Sequence, residues 1–225
     1  MRLLPAGSAA LLAEFPVMDD VITFHEALLR RKPVGTVEFI PASRTILITF
    51  DPEETSHEKL ARALAEIAAQ ASPAASAAAL ADPALADAAL ADAALPGGAL
   101  AVIPVTYDGP DLDEVALETG LTAKEIIRRH TAPLYTVAFC GFAPGFAYLT
   151  GLDPVLMLSR HSVPRIQVPA GSVAVSGQYT SVYPRISPGG WRLLGRTTAI
   201  MWDLAREQPA LLAPGDKVRF TEASS

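Results

Sequence analysis

Ala9 to Phe15 form a short apolar run, after which Val21, Phe24 and Leu28 recur at the spacing of one helix face, with Asp19 and Asp20 placed to cap it. Two runs rich in β-formers follow, Thr36 to Ile40 and Thr45 to Phe50, joined as a hairpin through Pro41-Ala42-Ser43-Arg44. Thr55 with Glu58 makes a capping-box pattern ahead of Leu60, Leu64 and Ile67, which predicts a second helix. The order is βαββα. A closing strand at Leu100 to Thr106 would complete a ferredoxin-like unit.

That strand is delayed by an Ala-rich stretch, residues 71–98, which repeats Ala-Leu-Ala-Asp at 79–82, 84–87 and 89–92. Leu80, Leu85, Leu90 and Leu95 stand five apart, so each turns about 140° from the last on a helix and no continuous apolar stripe forms. With Pro73, Pro83 and Pro96 breaking it, the stretch reads as a variable tether. Beyond it, Asp111 starts a helix with Val115 and Leu117, and Thr122 with Glu125 caps another with Ile126 and Ile127. Short apolar runs then alternate with Gly and Pro: Tyr135 to Phe139, Ile166 to Val168, Val173 to Val175, Thr198 to Trp202 and Val218 to Phe220. This punctuation predicts a compact β barrel.

A formal charge of −6 without clustered Lys or Arg argues against nucleic acid as a partner. Pro5, Gly7, Ser8 and Glu14 interrupt the opening apolar residues, against a leader peptide, and no apolar run reaches the roughly 18 residues of a membrane span. The single Cys140 excludes an intrachain disulfide and a cysteine zinc cage, and a cytoplasmic location is expected. No histidine sits at a metal-ligand spacing, so no metal site is expected. Phosphate-loop, nucleophile-elbow and zinc-helix motifs are missing too.

The densest signal is Phe139-Cys140-Gly141-Phe142-Ala143-Pro144-Gly145-Phe146-Ala147-Tyr148-Leu149. Pro144-Gly145 suits the centre of a type II turn, because Pro fixes the first φ and Gly takes the positive second one. Pro164-Arg165 through Val168-Pro169-Ala170-Gly171-Ser172 and Tyr183-Pro184 through Ser187-Pro188-Gly189-Gly190-Trp191 complete a set of three segments. Together they resemble the allophanate hydrolase subunit 1 family, which includes the B component of 5-oxoprolinase and the Kip-type inhibitor of sporulation kinases. The chain departs from that pattern at Ala147, where the family commonly has Pro, and at Tyr179 and Ser181, where it commonly has Gln and Gly.

The resemblance implies an α+β fold with an N-terminal ferredoxin-like domain, residues 1–70 plus 99–107, and a C-terminal cyclophilin-like barrel, residues 108–225, joined by the 71–98 linker. It implies a subunit of an ATP-dependent 5-oxoprolinase that opens 5-oxo-L-proline to L-glutamate. Phosphorylation of the amide oxygen would make the ring carbonyl a better electrophile. ATP, with Mg2+, would be bound mainly with partners: a larger subunit-2 chain resembling the C component of 5-oxoprolinase, and a further 5-oxoprolinase component. Inhibition of a histidine kinase and hydrolysis of allophanate or another urea-derived amide are the alternatives.

Arg165 lies in a matching segment, and its guanidinium fork suits a carboxylate or acyl phosphate; the plainer role is a salt bridge anchoring a loop. His130 stands where the family pattern carries a histidine and suits proton transfer, unless it only caps its helix. Phe142, Pro144, Gly145, Gly171, Ser172, Tyr183, Gly189, Gly190 and Trp191 are expected at a substrate pocket or a subunit interface. Turn hydrogen bonding and aromatic packing are the competing explanations.

Overall fold

The computed structural model describes residues 1–70 and 99–223, so the expected tether at 71–98 lies outside the described residues. The chain divides into two compact units, Met1–Gly97 and Gly98–Ser225.

In the first unit, β1 (Arg2–Pro5), β2 (Ala10–Glu14), β3 (Thr36–Pro41) and β4 (Thr45–Phe50) form an antiparallel sheet in the order β1-β2-β4-β3. Strand β4 buries Ile46, Ile48 and Phe50, every second residue, so the sheet has one covered face. Helix α1 (Met18–Arg30) brings Val21, Phe24 and Leu28 to this core, and α2 (His57–Gln70) brings Leu60, Leu64 and Ile67. Helix α1 has no side-chain cap, so Asp19 and Asp20 lie inside its first turn and act on the helix dipole. The cap of α2 is Ser56, one residue after Thr55, because Ser56 Oγ accepts from Lys59 N–H at 3.3 Å.

The expected closing strand is not in this sheet. Strand β5 (Leu100–Val105) pairs in parallel with β13 (Lys217–Glu222) in the second unit, and β1 occupies the sheet edge beside β2. The boundary expected at 107/108 therefore moves to the Gly97/Gly98 division. Satisfied by β1, the edge at β2 has no open ladder left for a later strand.

The second unit contains α3 (Leu112–Thr119), α4 (Ala123–Thr131) and a seven-stranded sheet. The strands between α4 and β13 are β6 (Tyr135–Cys140), β7 (Ala147–Thr150), β8 (Arg165–Val168), β9 (Ser172–Ser176), β10 (Tyr179–Val182), β11 (Ser187–Gly189) and β12 (Arg192–Arg196). The sheet order is β12-β9-β10-β7-β6-β13-β5, and β8 pairs with β11 as a separate ribbon. Its two edge strands meet at Thr106 and Arg196, each amide donating to the other's carbonyl at 2.8 Å, which nearly closes a barrel. With the edges joined, Thr198 to Trp202 finds no strand to pair with. The strand expected there is reduced to one bridge between Trp202 and Ala210.

Strand β9 is buried along most of its length because both of its faces are covered. Val173 and Val175 belong to the barrel core with Tyr135, Leu149, Leu194 and Phe220, whereas Ala174 joins a second cluster with Phe146, Val168, Tyr183 and Leu193. That outer cluster, between the barrel wall and the β8–β11 ribbon, is the floor of the candidate site.

Candidate functional site

At Pro144-Gly145 the type II turn forms as expected: Phe146 N–H donates to Ala143 O at 2.9 Å, and Gly145 has φ +81°. An added Cβ there would stand 2.9 Å from Met201 O, so space as well as backbone conformation requires glycine. Phe142 precedes the turn with φ +67°, and Ala143 N–H reaches back to Gly141 O at 2.8 Å. Positive φ at a bulky residue is a strained state that persists where surrounding structure enforces it. Here it stands Phe142 up beside Phe146, ring centroids 5.1 Å apart and nearly perpendicular.

Phe146 also meets Tyr148, Tyr183 and Trp191 edge to face, at 5.0, 5.3 and 5.5 Å. The quadrupoles of aromatic rings favour this geometry. These rings, with Arg160, Pro164, Pro188, Gly189 and Gly190, line a cleft of about 310 Å3, at the low end of small-molecule sites. Trp191 N–H hydrogen-bonds the Tyr183 hydroxyl oxygen, but burial outweighs it and raises the Tyr183 pKa. Burial raises that of Tyr148 as well. Both phenols stay protonated at neutral pH and can act only as neutral hydrogen-bonding groups.

Gly189 is required by close approach, since an added Cβ would lie 2.3 Å from the Tyr183 hydroxyl oxygen. Gly189→Ala is expected to displace that ring, shift Trp191 fluorescence and destabilise the unit by about 1–3 kcal/mol through overpacking. Removing the hydroxyl in the double variant G189A/Y183F is expected to recover part of the loss in urea unfolding. Additive losses would refute the contact.

Arg165 does not line the cleft. Its Nη2 is paired with Asp111 Oδ1, while Asp111 Oδ2 accepts from Leu193 N–H at 2.7 Å. Arg192 donates to Ser159 O and Glu118 and pairs with Glu114. It also donates to His161 Nδ1 at 3.3 Å, which leaves the ring proton on His161 Nε2, 3.3 Å from Asp111 Oδ2. Asp111, Glu114 and His161 present ligand atoms within 4.8 Å of one another, a cluster that their sequence separation hid. Both carboxylates already hold guanidinium groups, so the trio is an ion-pair network and does not fit a resident Mg2+.

His130 is fully buried at the end of α4, where it stacks on Phe220 at 4.6 Å. Thr180 donates to Ala174 O, so its oxygen accepts from His130 Nε2 at 2.8 Å, and His130 Nδ1 accepts from the Tyr107 hydroxyl at 2.7 Å. Desolvation lowers its pKa to about 3. The expected proton-transfer role thus gives way to a neutral core histidine with both ring nitrogens engaged. Cys140 is inert for a related reason, burial and the Asp216 charge raising its thiol to about 11.

Of the other expected residues, Phe142, Tyr183, Gly189, Gly190 and Trp191 meet at the cleft, and Pro144 and Gly145 form the turn beneath Phe142. Gly171 and Ser172 instead tie the barrel wall: Gly171 N–H donates to Tyr183 O, and Ser172 O accepts from Tyr183 N–H. Buried in that ladder, Ser172 has no base beside it and is not a nucleophile.

The profile of the carboxyltransferase domain, subdomain C and D, matches residues 1–212. The chain belongs to this family. It is 49% identical over 121 residues to the B component of 5-oxoprolinase from Escherichia coli O157:H7, a match covering 52% of this chain and 56% of that protein. The corresponding B component of Bacillus subtilis strain 168 is 44% identical over 125 residues, 54% of this chain and 52% of its own length. The chain thus spans about half the length of the curated relatives it matches. The crystal structure of TTHA0988 superposes with a TM-score of 0.72 at 35% identity, over 96% of this chain and 40% of that one.

Phe146, Tyr148, Arg160, Pro164 and Pro188 also line the cleft and were not among the expected site residues. Tyr148 lies inside the aromatic motif, but Arg160 lies outside all three matching segments. Its only local signal is an arginine just ahead of the Pro164 bend.

Proposed function

We propose that this carboxyltransferase C/D chain is the substrate-binding subunit of an ATP-dependent 5-oxoprolinase, which opens 5-oxo-L-proline to L-glutamate. The observation that carries this division of labour is the cleft itself. It is aromatic and has one cation, and none of its lining residues is a carboxylate, histidine, cysteine or serine. Such a site can bind and orient a small amphipathic molecule, whereas the acid, base or nucleophile for opening an amide must come from elsewhere. The 5-oxoprolinase B components, at 44–49% identity, support the lactam over the urea-derived amide suggested by urea amidolyase of Saccharomyces cerevisiae at 30%.

The cleft, with Arg160 as its one cation, does not fit a bound nucleotide triphosphate. Elsewhere Lys32 and Lys217 are turned to Val37 O and Thr136 Oγ1, and Arg165, Arg192 and Arg196 are each paired with carboxylates. In this reading ATP and Mg2+ bind on partners, a larger subunit-2 chain and a further component, in the cytoplasm. No described helix is long and apolar enough to cross a membrane. The same reading takes the first unit as ferredoxin-like, with β1 in the place of the closing strand, and the second as a cyclophilin-like barrel.

The test measures glutamate and ADP release from 5-oxo-L-proline and ATP, with this chain alone and with both partners. Turnover is expected only in the full mixture. Turnover by the chain alone would overturn the division of labour, and a verified assembly without turnover would overturn the lactam reading.

A further inference from the structure

Of the residues lining the cleft, only Arg160 is charged. Its guanidinium makes no ion pair or side-chain hydrogen bond among the described residues, in contrast to Arg165, Arg192 and Arg196. Its backbone, by contrast, is fixed on both sides. Gly177 N–H donates to Leu158 O at 2.7 Å, Arg192 Nε to Ser159 O at 3.1 Å, and His161 N–H to Gly190 O at 2.7 Å. Arg192 in turn is clamped by Glu114 and Glu118. Buried Arg192, paired with two exposed glutamates, therefore holds in place the loop that presents the cleft's one cation. Ordering such a loop before a ligand arrives removes part of the entropy cost of binding.

We propose that Arg160 binds the carboxylate of a small monoacid whose apolar body lies against Phe146, Tyr183 and Trp191, making Arg160 the residue that selects the ligand's charge. The guanidinium fork matches a carboxylate with two parallel hydrogen bonds, and no acidic residue in the lining competes for it. A single cation matches a single carboxylate better than a polyphosphate, and about 310 Å3 admits a five-membered ring acid. The identity of the acid, 5-oxo-L-proline, rests on the function proposed above; the carboxylate site rests on the cleft alone.

The experiment titrates the chain with 5-oxo-L-proline and with the neutral lactam 2-pyrrolidinone, following tryptophan fluorescence, with Trp191→Phe identifying the signal from the cleft. The wild type is expected to prefer the acid. Arg160→Gln is expected to weaken acid binding by about 30-fold and to erase the preference, a change equivalent to one strong charge-assisted contact. Arg160→Lys should recover part of it. In the assembly, Arg160→Gln should raise KM for 5-oxo-L-proline while kcat changes only a few-fold, because the contact is made equally in ground and transition states. Equal acid affinity in wild type and Arg160→Gln overturns the proposal, as does a wild type that binds no acid either alone or assembled. Arg160-dependent acid binding in an assembly that opens no lactam would sustain the carboxylate site and overturn the lactam reading.

Discussion

Asp111→Ala is expected to destabilise the second unit by about 3–4 kcal/mol, the range for removing one partner of a buried ion pair. The side chain is only 4% exposed and serves two groups at once, the Arg165 guanidinium through Oδ1 and Leu193 N–H through Oδ2. Its loss leaves a backbone donor unpaired and a guanidinium uncompensated, although Arg165, 30% exposed, can recover some hydration. Arg165 Nη1 already lacks a partner, so no second acceptor stands ready. Urea unfolding followed by tryptophan fluorescence reports this unit, because Trp191 and Trp202 both lie within it. Asp111→Asn, which keeps an acceptor for Leu193, should lose less. A shift below about 1 kcal/mol for the alanine variant would show that the network is solvated and weak.

His130→Ala is expected to cost on the order of 4 kcal/mol at pH 7.5, as for truncation of a buried ring. The stacking on Phe220 is lost, and the Tyr107 and Thr180 hydroxyl groups lose their partner. The loss should shrink in acid. His130 has a native pKa of about 3, against about 6.5 in the unfolded chain, so between these values the unfolded state binds the extra proton. Stability is then full above pH 6.5 and falls as pH falls toward 3. At pH 5 the wild type has lost about 2 kcal/mol through this one group, and the alanine variant has not. The difference between the two proteins should therefore narrow by about that amount between pH 7.5 and 5. A constant difference would mean that the ring takes up a proton in the folded chain as readily as in the unfolded one, and that the neutral relay from Tyr107 to Thr180 is wrong.

Much of the local structure can be read along the chain. The Pro144-Gly145 turn, the Thr122 cap on Glu125 N–H and the hairpin at Pro41 to Arg44 depend on residues within a few positions of one another, whose φ preferences and side-chain reach are local properties. The aromatic motif was legible for the same reason, and Phe142, Phe146 and Tyr148 from it line the cleft.

Pairing was not legible. Leu100 to Val105 has the pattern of a strand that could finish either sheet, and the choice fell to β13, more than a hundred residues later, because β1 already occupied the free edge of the first. Val173 to Val175 was recognisable as a strand, but nothing local announces that Ala174 faces a second cluster. Ser172 and Gly171 looked like site residues and became rungs of the barrel wall.

The charged residues divide in the same way. By itself the sequence determined which groups are available: seven arginines from Tyr135 onward, one histidine at a helix end, and a Gly- and Pro-framed set of aromatics. Tertiary structure alone decided their roles, by placing Asp111 against Arg165, Phe220 and Thr180 around His130, and no carboxylate against Arg160. Rotamer and turn preferences act over a few residues, whereas desolvation and ion pairing depend on what the fold brings from tens of residues away.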